Sequence, residues 1–286
     1  MNGIRQVAVV GAGTMGADIA QVVALGGYEV ILTDTDERIL RLALARVART
    51  IEQGVRLNKV DGLTANRARH AFRITTDLAK CAPADVVIEA VYDDLDVKQD
   101  LFENLDEIVR DDAILASSTN TLSITTLAQK TRLPGRVIGT HFFNPAHLTR
   151  LVEVVRGENT RPETVEQVLP LIRKIGKTPV VVQDTPGGVV NRLTLAYMGE
   201  ALHLLDDQSL DAPTIDRLLE DAGFPMGPFR LMDFLGVDSV LDVCKMVYEN
   251  TFHASTYRPH PRLKRMVEAG RIGRKSGQGF YSRETP

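Results

Sequence analysis

The feature that most restricts the fold is the opening stretch "IRQVAVVGAGTMGADIAQVVALGGYEVILTD", residues 4–34. A short β-branched run leads into Gly11, Gly13 and Gly16, then a helical stretch, then a second β-branched run ending at Asp34. A strand that turns on glycines into a helix and returns as a strand is one βαβ unit, whose two strands lie parallel in a sheet.

The alternation continues. A long helix is expected over roughly 36–53, a strand near 72–75, a strand within "ADVVIEAV" (84–91), a helix over 96–109, and strands in "AILAS" (113–117) and "RVIGTHF" (136–142). "LVEVVRG" and "TPVVVQD" supply two more strands around a helix near 161–175. Such alternation implies a doubly wound, mostly parallel sheet covered by helices on both faces, the α/β class of Rossmann type. After "DTPGGVVNRL" strand-like runs vanish, and the rest reads as helices broken by Gly and Pro. Two domains are therefore expected, an α/β domain over 1–184 and an all-helical one over 185–286. At 286 residues the chain exceeds the usual single-domain size.

The glycines carry a chemical expectation. Gly11 permits the turn, Gly13 lets the backbone approach a pyrophosphate, and Gly16 allows close packing of helix on sheet. Thr14 and Met15 open the helix, whose N-terminus favours phosphate charge. Asp34 closes the second strand about where an acidic group meets a ribose diol, and it would repel a 2′-phosphate, so NAD is expected rather than NADP. Arg38, one helical turn on, pulls the other way.

Charge and cysteine content exclude several classes. With 34 basic against 37 acidic residues and a net charge of −3, no electrostatic footprint for nucleic acid or an anionic membrane is visible. No apolar run reaches the length of a membrane span. Cys81 and Cys244 are too few for a disulfide framework or a zinc cluster, and residues 1–10 run into a strand rather than a signal-peptide core, so a cytoplasmic location and no metal are expected.

In "GTHFFNPAHLTRLVEVV" (139–155), His141 stands where a strand runs out, at the end of the sheet where α/β proteins bind ligands. Glu153 lies inside the next apolar run, and a buried carboxylate needs a partner. A Glu that accepts from one ring nitrogen fixes the tautomer and leaves the other as a base. Beside an NAD site, the proton to remove is that of an alcohol losing hydride.

"GAGTMGADIA", "VIEAV", "LSIT", "HFFNP", "LVEVV", "DTPGGVVNRL", "PMGPF" and "GRKSGQGFY" together resemble the 3-hydroxyacyl-CoA dehydrogenase family, in order and over nearly the whole chain. The resemblance implies an L-3-hydroxyacyl thioester substrate, NAD, and a helical second domain that closes the cleft and forms a homodimer. It further implies His141 as general base, Glu153 as its orienting carboxylate and Asn191 as a substrate-holding amide. Asp93 and Lys98 match positions near the nicotinamide half of the cofactor, and Asn144 and Lys275 match further ligand-contacting positions.

Three departures lie on the substrate side. Asn120 stands where the family has the serine that bonds the reacting oxygen, with Thr121 next to it. Gly188 replaces the family's Phe, and the lysine that grips the CoA nucleotide is represented only by Lys59. Asn120 also falls beside the nicotinamide side of the expected cleft.

Milder readings cover the remainder. His70, His203, His253 and His260 show no carboxylate at a telling spacing and read as structural or solvated. Asp93, Asp94 and Asp96 read as a solvated helix start with Asp93 facing ligand, rather than as a metal cluster. Ser117, Ser118 and Thr119 read as a strand-to-loop turn, and Cys244 as core. Three functions stay open: a 3-hydroxyacyl-CoA dehydrogenase of fatty-acid or butyrate type; the same chemistry on an acyl-carrier-protein-bound 3-hydroxyacyl or glyceryl unit, as in polyketide pathways, with Arg67, Arg69 and Arg73 as a docking patch; or a non-catalytic NAD-binding structural protein.

Overall fold

The computed structural model describes residues 3–207 and 210–282. The chain divides into two compact units, the first ending at Thr185 and the second starting at Pro186.

In the first unit, β1 (Gln6–Val10), α1 (Thr14–Leu25) and β2 (Glu29–Thr33) form the opening βαβ unit. There follow α2 (Glu37–Arg56), α3 (Gly62–His70), β3 (Phe72–Thr75), β4 (Val86–Glu89), α4 (Leu95–Ile108), β5 (Ile114–Ser117), α5 (Ile124–Ala128), β6 (Val137–Phe142), β7 (Leu151–Arg156), α6 (Pro162–Lys174) and β8 (Thr178–Gln183). Three helices start on a carboxylate that accepts a first-turn N–H: Asp36 from Arg38, Asp61 from Thr64 and Asp94 from Val97. These caps satisfy donors that the helix itself cannot.

The eight strands run in the order β3-β2-β1-β4-β5-β6-β7-β8. Neighbours are parallel except β6 and β7, which are antiparallel. The reversal has a local cause, since only residues 143–150 join β6 to β7, too few for a crossover. Val7 and Val9 of β1 face one layer with α1, α2, α3 and α6, while Ala8 and Val10 face the other with α4 and α5. That two-sided burial is why the strand reads as an unbroken apolar run. The chain order reverses between β1 and β4, which opens a crevice beyond their carboxyl ends.

The second unit holds α7 (Val190–Asp206), α8 (Ala212–Asp221), α9 (Pro228–Leu235), α10 (Val237–Asn250) and α11 (Pro261–Glu268) around Met198, Leu202, Phe229, Met232, Val240 and Val247. Two carboxylates lash its last segment down. Asp233 accepts the N–H groups of Phe280 and Tyr281, and Asp216 accepts those of Phe229 and Arg230 together with the Tyr281 hydroxyl. Gly279 packs so closely that a Cβ would lie 2.0 Å from Asp233 Oδ1. "GRKSGQGFY" is thus in part a structural strap. Gly188, where the family's Phe is missing, has φ +59°, a conformation that glycine adopts without cost.

Candidate active site

The glycine turn sits at the β1–β4 crevice. Gly11 has φ +96°, and a Cβ there would lie 2.7 Å from the Ala90 carbonyl oxygen. At Gly16 a Cβ would meet the Gly11 oxygen at 1.8 Å. Gly13 differs, because a Cβ there would meet nothing within 4 Å, and its backbone lines an open cleft of about 480 Å³ with Gly11, Asp34, Ile39, Val91 and Tyr92. Asp34 Oδ2 accepts the Ala12 N–H at 2.7 Å and Oδ1 accepts that of Asp36 at 3.2 Å, so the carboxylate that closes β2 also holds the turn in place. Thr14 and Met15 place first-turn N–H groups of α1 at the same end of the sheet. A long ligand with an anionic middle fits: bare backbone at Gly13, helix N–H groups beside it, and an acid at one side wall.

His141 lies near the end of β6 and pairs in antiparallel register with Glu153 of β7, so both side chains leave the same face. His141 Nδ1 stands 2.9 Å from Glu153 Oε2. The histidine is 6% and the glutamate 2% exposed, so the contact is dry. A carboxylate can only accept, so the hydrogen bond puts a proton on Nδ1, and in the neutral ring Nε2 is then the acceptor nitrogen. The Phe143 ring, 4.3 Å from the imidazole, supports its other edge.

Between these two places runs the loop after β5. Ser117 Oγ donates to Glu89 Oε2 at 2.7 Å and accepts the Thr119 N–H at 3.2 Å. Thr119 Oγ1 accepts the N–H groups of Thr121 and Leu122 at 3.2 and 3.0 Å, so the backbone is bent around Asn120, which is exposed. Downstream, Asp184 accepts from Ser123 Oγ, Ile124 N, Thr125 N and Thr125 Oγ1, pinning the start of α5.

Comparison with known proteins agrees with this geometry. Residues 6–185 match the model described as 3-hydroxyacyl-CoA dehydrogenase, NAD binding domain, and residues 187–283 match the model of the same family's C-terminal domain. The chain belongs to the 3-hydroxyacyl-CoA dehydrogenase family. It is accordingly an NAD-dependent dehydrogenase by class. A probable 3-hydroxybutyryl-CoA dehydrogenase of Deinococcus radiodurans is 38% identical over 276 residues, 96% of this chain and 98% of that one. The structure of the (S)-3-hydroxybutyryl-CoA dehydrogenase PaaH1 from Ralstonia eutropha superposes with a TM-score of 0.93 at 35% identity, covering 98% of this chain and 99% of the other. The 3-hydroxybutyryl-CoA dehydrogenase of Escherichia coli K12 gives a TM-score of 0.96 at 38% identity over 99% of this chain, which spans 60% of that longer one.

Within this member of the family, several residues stand otherwise than the resemblance or their spacing suggests. Lys98 is expected against the cofactor, but its side chain is 1% exposed. Its ammonium lies on Glu89 Oε1, 3.0 Å from Asp93 Oδ1 and 3.2 Å from the Val91 carbonyl oxygen. α4 carries the lysine behind the crevice wall, and Asp93 is the member of that pair that reaches solvent. Burial pushes the Glu89 carboxyl up, against the pull of Lys98, Ser117 and the Val91 N–H. His253 and His260 do have carboxylate partners, contrary to expectation. His253 Nε2 is 2.9 Å from Glu249 one helical turn earlier, an exposed pair, and His260 Nε2 is 3.4 Å from Asp206, which the α7–α11 packing brings near. Asn144 is exposed on the loop between β6 and β7. Asn191 and Lys275 belong to the second unit. Asn191 Nδ2 has no hydrogen-bond partner among the described residues, and Lys275 Nζ is held by Asp238 and Ser239.

Two clusters escaped the sequence reading. Glu89 closes a β-branched run and could have been flagged as a carboxylate in a strand. Asp18, buried on α1, takes His147 Nδ1 at 3.0 Å and Arg46 at 3.1 Å, anchoring the loop that follows His141 to the helix that follows the glycines. A buried acid on α1, with Gln21 the other polar residue of its buried positions, is its only local signal.

Proposed function

We propose that this chain oxidises a short L-3-hydroxyacyl-CoA, such as 3-hydroxybutyryl-CoA, to the 3-ketoacyl-CoA. The observation that carries the reading is the dry His141–Glu153 pair at the end of the same sheet that bears the glycine cradle. β6 is three strands from β1, roughly 14 Å at ~4.8 Å per strand, within the span of an extended dinucleotide. NAD, held by the glycine cradle, would supply the acceptor for the C3 hydride.

The protein's own part is proton handling and placement. Nε2 of His141 takes the proton of the C3 hydroxyl as that oxygen becomes a carbonyl. The Glu153 carboxylate stabilises the imidazolium that results and holds the ring against rotation. Asn120 binds the hydroxyl oxygen, and Asn191, in the second unit, is the substrate-holding amide that the family resemblance implies. Gly11, Gly13, Thr14, Met15, Gly16 and Asp34 hold the adenosine and pyrophosphate portion, with Asp93 and Asn144 as further contacts; Lys275, in the second unit, is a ligand-contacting position by the family resemblance. The three relatives described above are named as 3-hydroxybutyryl-CoA dehydrogenases, which favours CoA over a carrier protein.

The test is NADH formation from CoA-bound and carrier-protein-bound 3-hydroxyacyl substrates side by side, with His141→Gln as control. CoA turnover that falls by at least about 10²-fold in His141→Gln is the expected result. A carrier-protein preference would move the reading to the second thioester class, and no turnover on either would leave a non-catalytic NAD-binding protein. The second unit exposes Leu193, Leu218, Phe224, Phe234 and Phe252, the last 98% accessible, and these exposed apolar side chains support a homodimer through that unit. Light scattering at micromolar concentration tests it. No helix among the described residues is long and apolar enough to cross a membrane.

A further inference from the structure

Six side chains join the cofactor wall to the substrate loop in a closed ring. Starting at Asp93, Oδ1 pairs with Lys98 Nζ at 3.0 Å, and Lys98 pairs with Glu89 Oε1. Glu89 Oε2 accepts from Ser117 Oγ at 2.7 Å, and Ser117 Oγ accepts the Thr119 N–H at 3.2 Å. Thr119 Oγ1 accepts the Thr121 N–H at 3.2 Å, and Thr121 Oγ1 returns to Asp93 Oδ2 at 3.0 Å. Asn120 is the residue spanned by the Thr119–Thr121 link.

Both anchors of this ring are costly to bury, and both lie deep in the fold. Glu89 and Lys98 are 0% exposed, as is Ser117. An ion pair so placed contributes little net stability compared with apolar packing of the same volume. Its geometry is demanding, however, because a missing partner leaves an uncompensated charge. A ring built on such a pair has one arrangement rather than many. It includes Asp93, on the cofactor side, and brackets Asn120, on the substrate side.

We propose that Glu89, Lys98, Ser117, Thr119 and Thr121 are positioning residues that set Asn120 at a fixed distance from the nicotinamide end of the cleft. None of the five needs to touch substrate. The idea rests on the reading of Asn120 as a contact to the reacting oxygen. An amide offers its oxygen and its nitrogen on different sides, so its orientation matters more than that of a freely rotating hydroxyl, and an enzyme with Asn at this place depends on the loop being held. A misplacement of the order of 1 Å at a reacting group costs up to about 10²-fold in rate.

Thr121→Val is the decisive variant, because it keeps the volume, removes only the bond to Asp93 and lies in a partly exposed position. We expect kcat to fall about 10-fold, with KM and the Kd of NAD changed less than about 2-fold. Thr121→Ser, which restores the hydroxyl, should recover the parental kcat. The same change made in an Asn120→Ala background should cost less than about 2-fold, because there is no amide left to place. Ser117→Ala, with folding checked by circular dichroism, should repeat the pattern from the other side of the ring. The proposal is overturned if Thr121→Val is silent, or if its loss multiplies unchanged onto that of Asn120→Ala while the latter is itself impaired. Should Asn120→Ala alone turn over at the parental rate, the contact assigned to Asn120 is refuted, and the positioning role falls with it.

Discussion

Glu153→Gln probes the part of the site on which the functional reading depends. The substitution keeps side-chain volume and an oxygen acceptor for the Nδ1 proton, and it removes the charge from a position 2% exposed and 2.9 Å from the ring. A hydrogen bond to an ionised group contributes about 1.5–3 kcal/mol and a neutral one about 0.5–1.5, so roughly 1–1.5 kcal/mol of differential stabilisation is lost when the imidazole takes a proton. At 1.36 kcal/mol per decade this lowers the hydride-transfer rate about 10-fold. The Coulomb attraction itself, at an effective dielectric of 20 and ~4 Å, is about 4 kcal/mol, which bounds the loss for Glu153→Ala at about 10³-fold. Single-turnover NADH formation with saturating substrate reads the step directly, and NAD affinity measured by fluorescence should stay within about 2-fold, because the glycine cradle at β1 lies four strands from Glu153 on β7. A Glu153→Gln enzyme as fast as its parent, or a rate loss matched by an equal loss in NAD affinity, would refute the base-and-orienter assignment.

The glycines separate fold from cofactor. Gly13→Ala should keep the parental unfolding midpoint, since its Cβ meets no atom, yet weaken NAD by about 10-fold or more by intruding on the cleft; Gly16→Ala, facing a backbone oxygen at 1.8 Å, should lose both in the same urea titration and binding assay. Asp34→Ser should move the NAD/NADP ratio of kcat/KM toward NADP, and more so with Asp36→Asn added, because Asp36 holds the Arg38 guanidinium at 2.7 Å. Asp106, burial of which alone would raise it, is held below the ordinary carboxylate range by the Arg132 N–H and the guanidiniums of Arg136 and Arg132. Its stabilisation is therefore full above the unfolded value and lost as pH falls through the lower folded one. Asp106→Asn should cost about 2–3 kcal/mol in urea unfolding near neutrality, and the gap to the parent should close below about pH 4. The buried Cys81 thiol, pushed up to about 12, should resist iodoacetamide at pH 8 until the chain is unfolded.

The βαβ order, the glycine turn and the two textures of the chain are legible from the sequence because they rest on local periods, two residues for a strand and 3.6 for a helix, and on turns that only glycine makes. The His141–Glu153 pair is legible for a related reason. One short connection joins β6 to β7, so antiparallel pairing places the two residues opposite one another once both runs are recognised as strands. Strand order is a different matter, since nothing local says that β4 returns to the far side of β1. The buried carboxylates depend wholly on that order: Glu89 meets Ser117 because β4 and β5 are neighbours, and meets Lys98 because α4 packs behind them. Asp18 finds His147 across 129 residues, and Asp184 caps a helix 60 residues earlier in the chain. The family resemblance made Lys98 look like a ligand contact and the sequence left Glu89 unremarked, because whether a charged side chain faces a cleft or another charge is decided by the elements packed on either side of it, and these come from distant parts of the sequence.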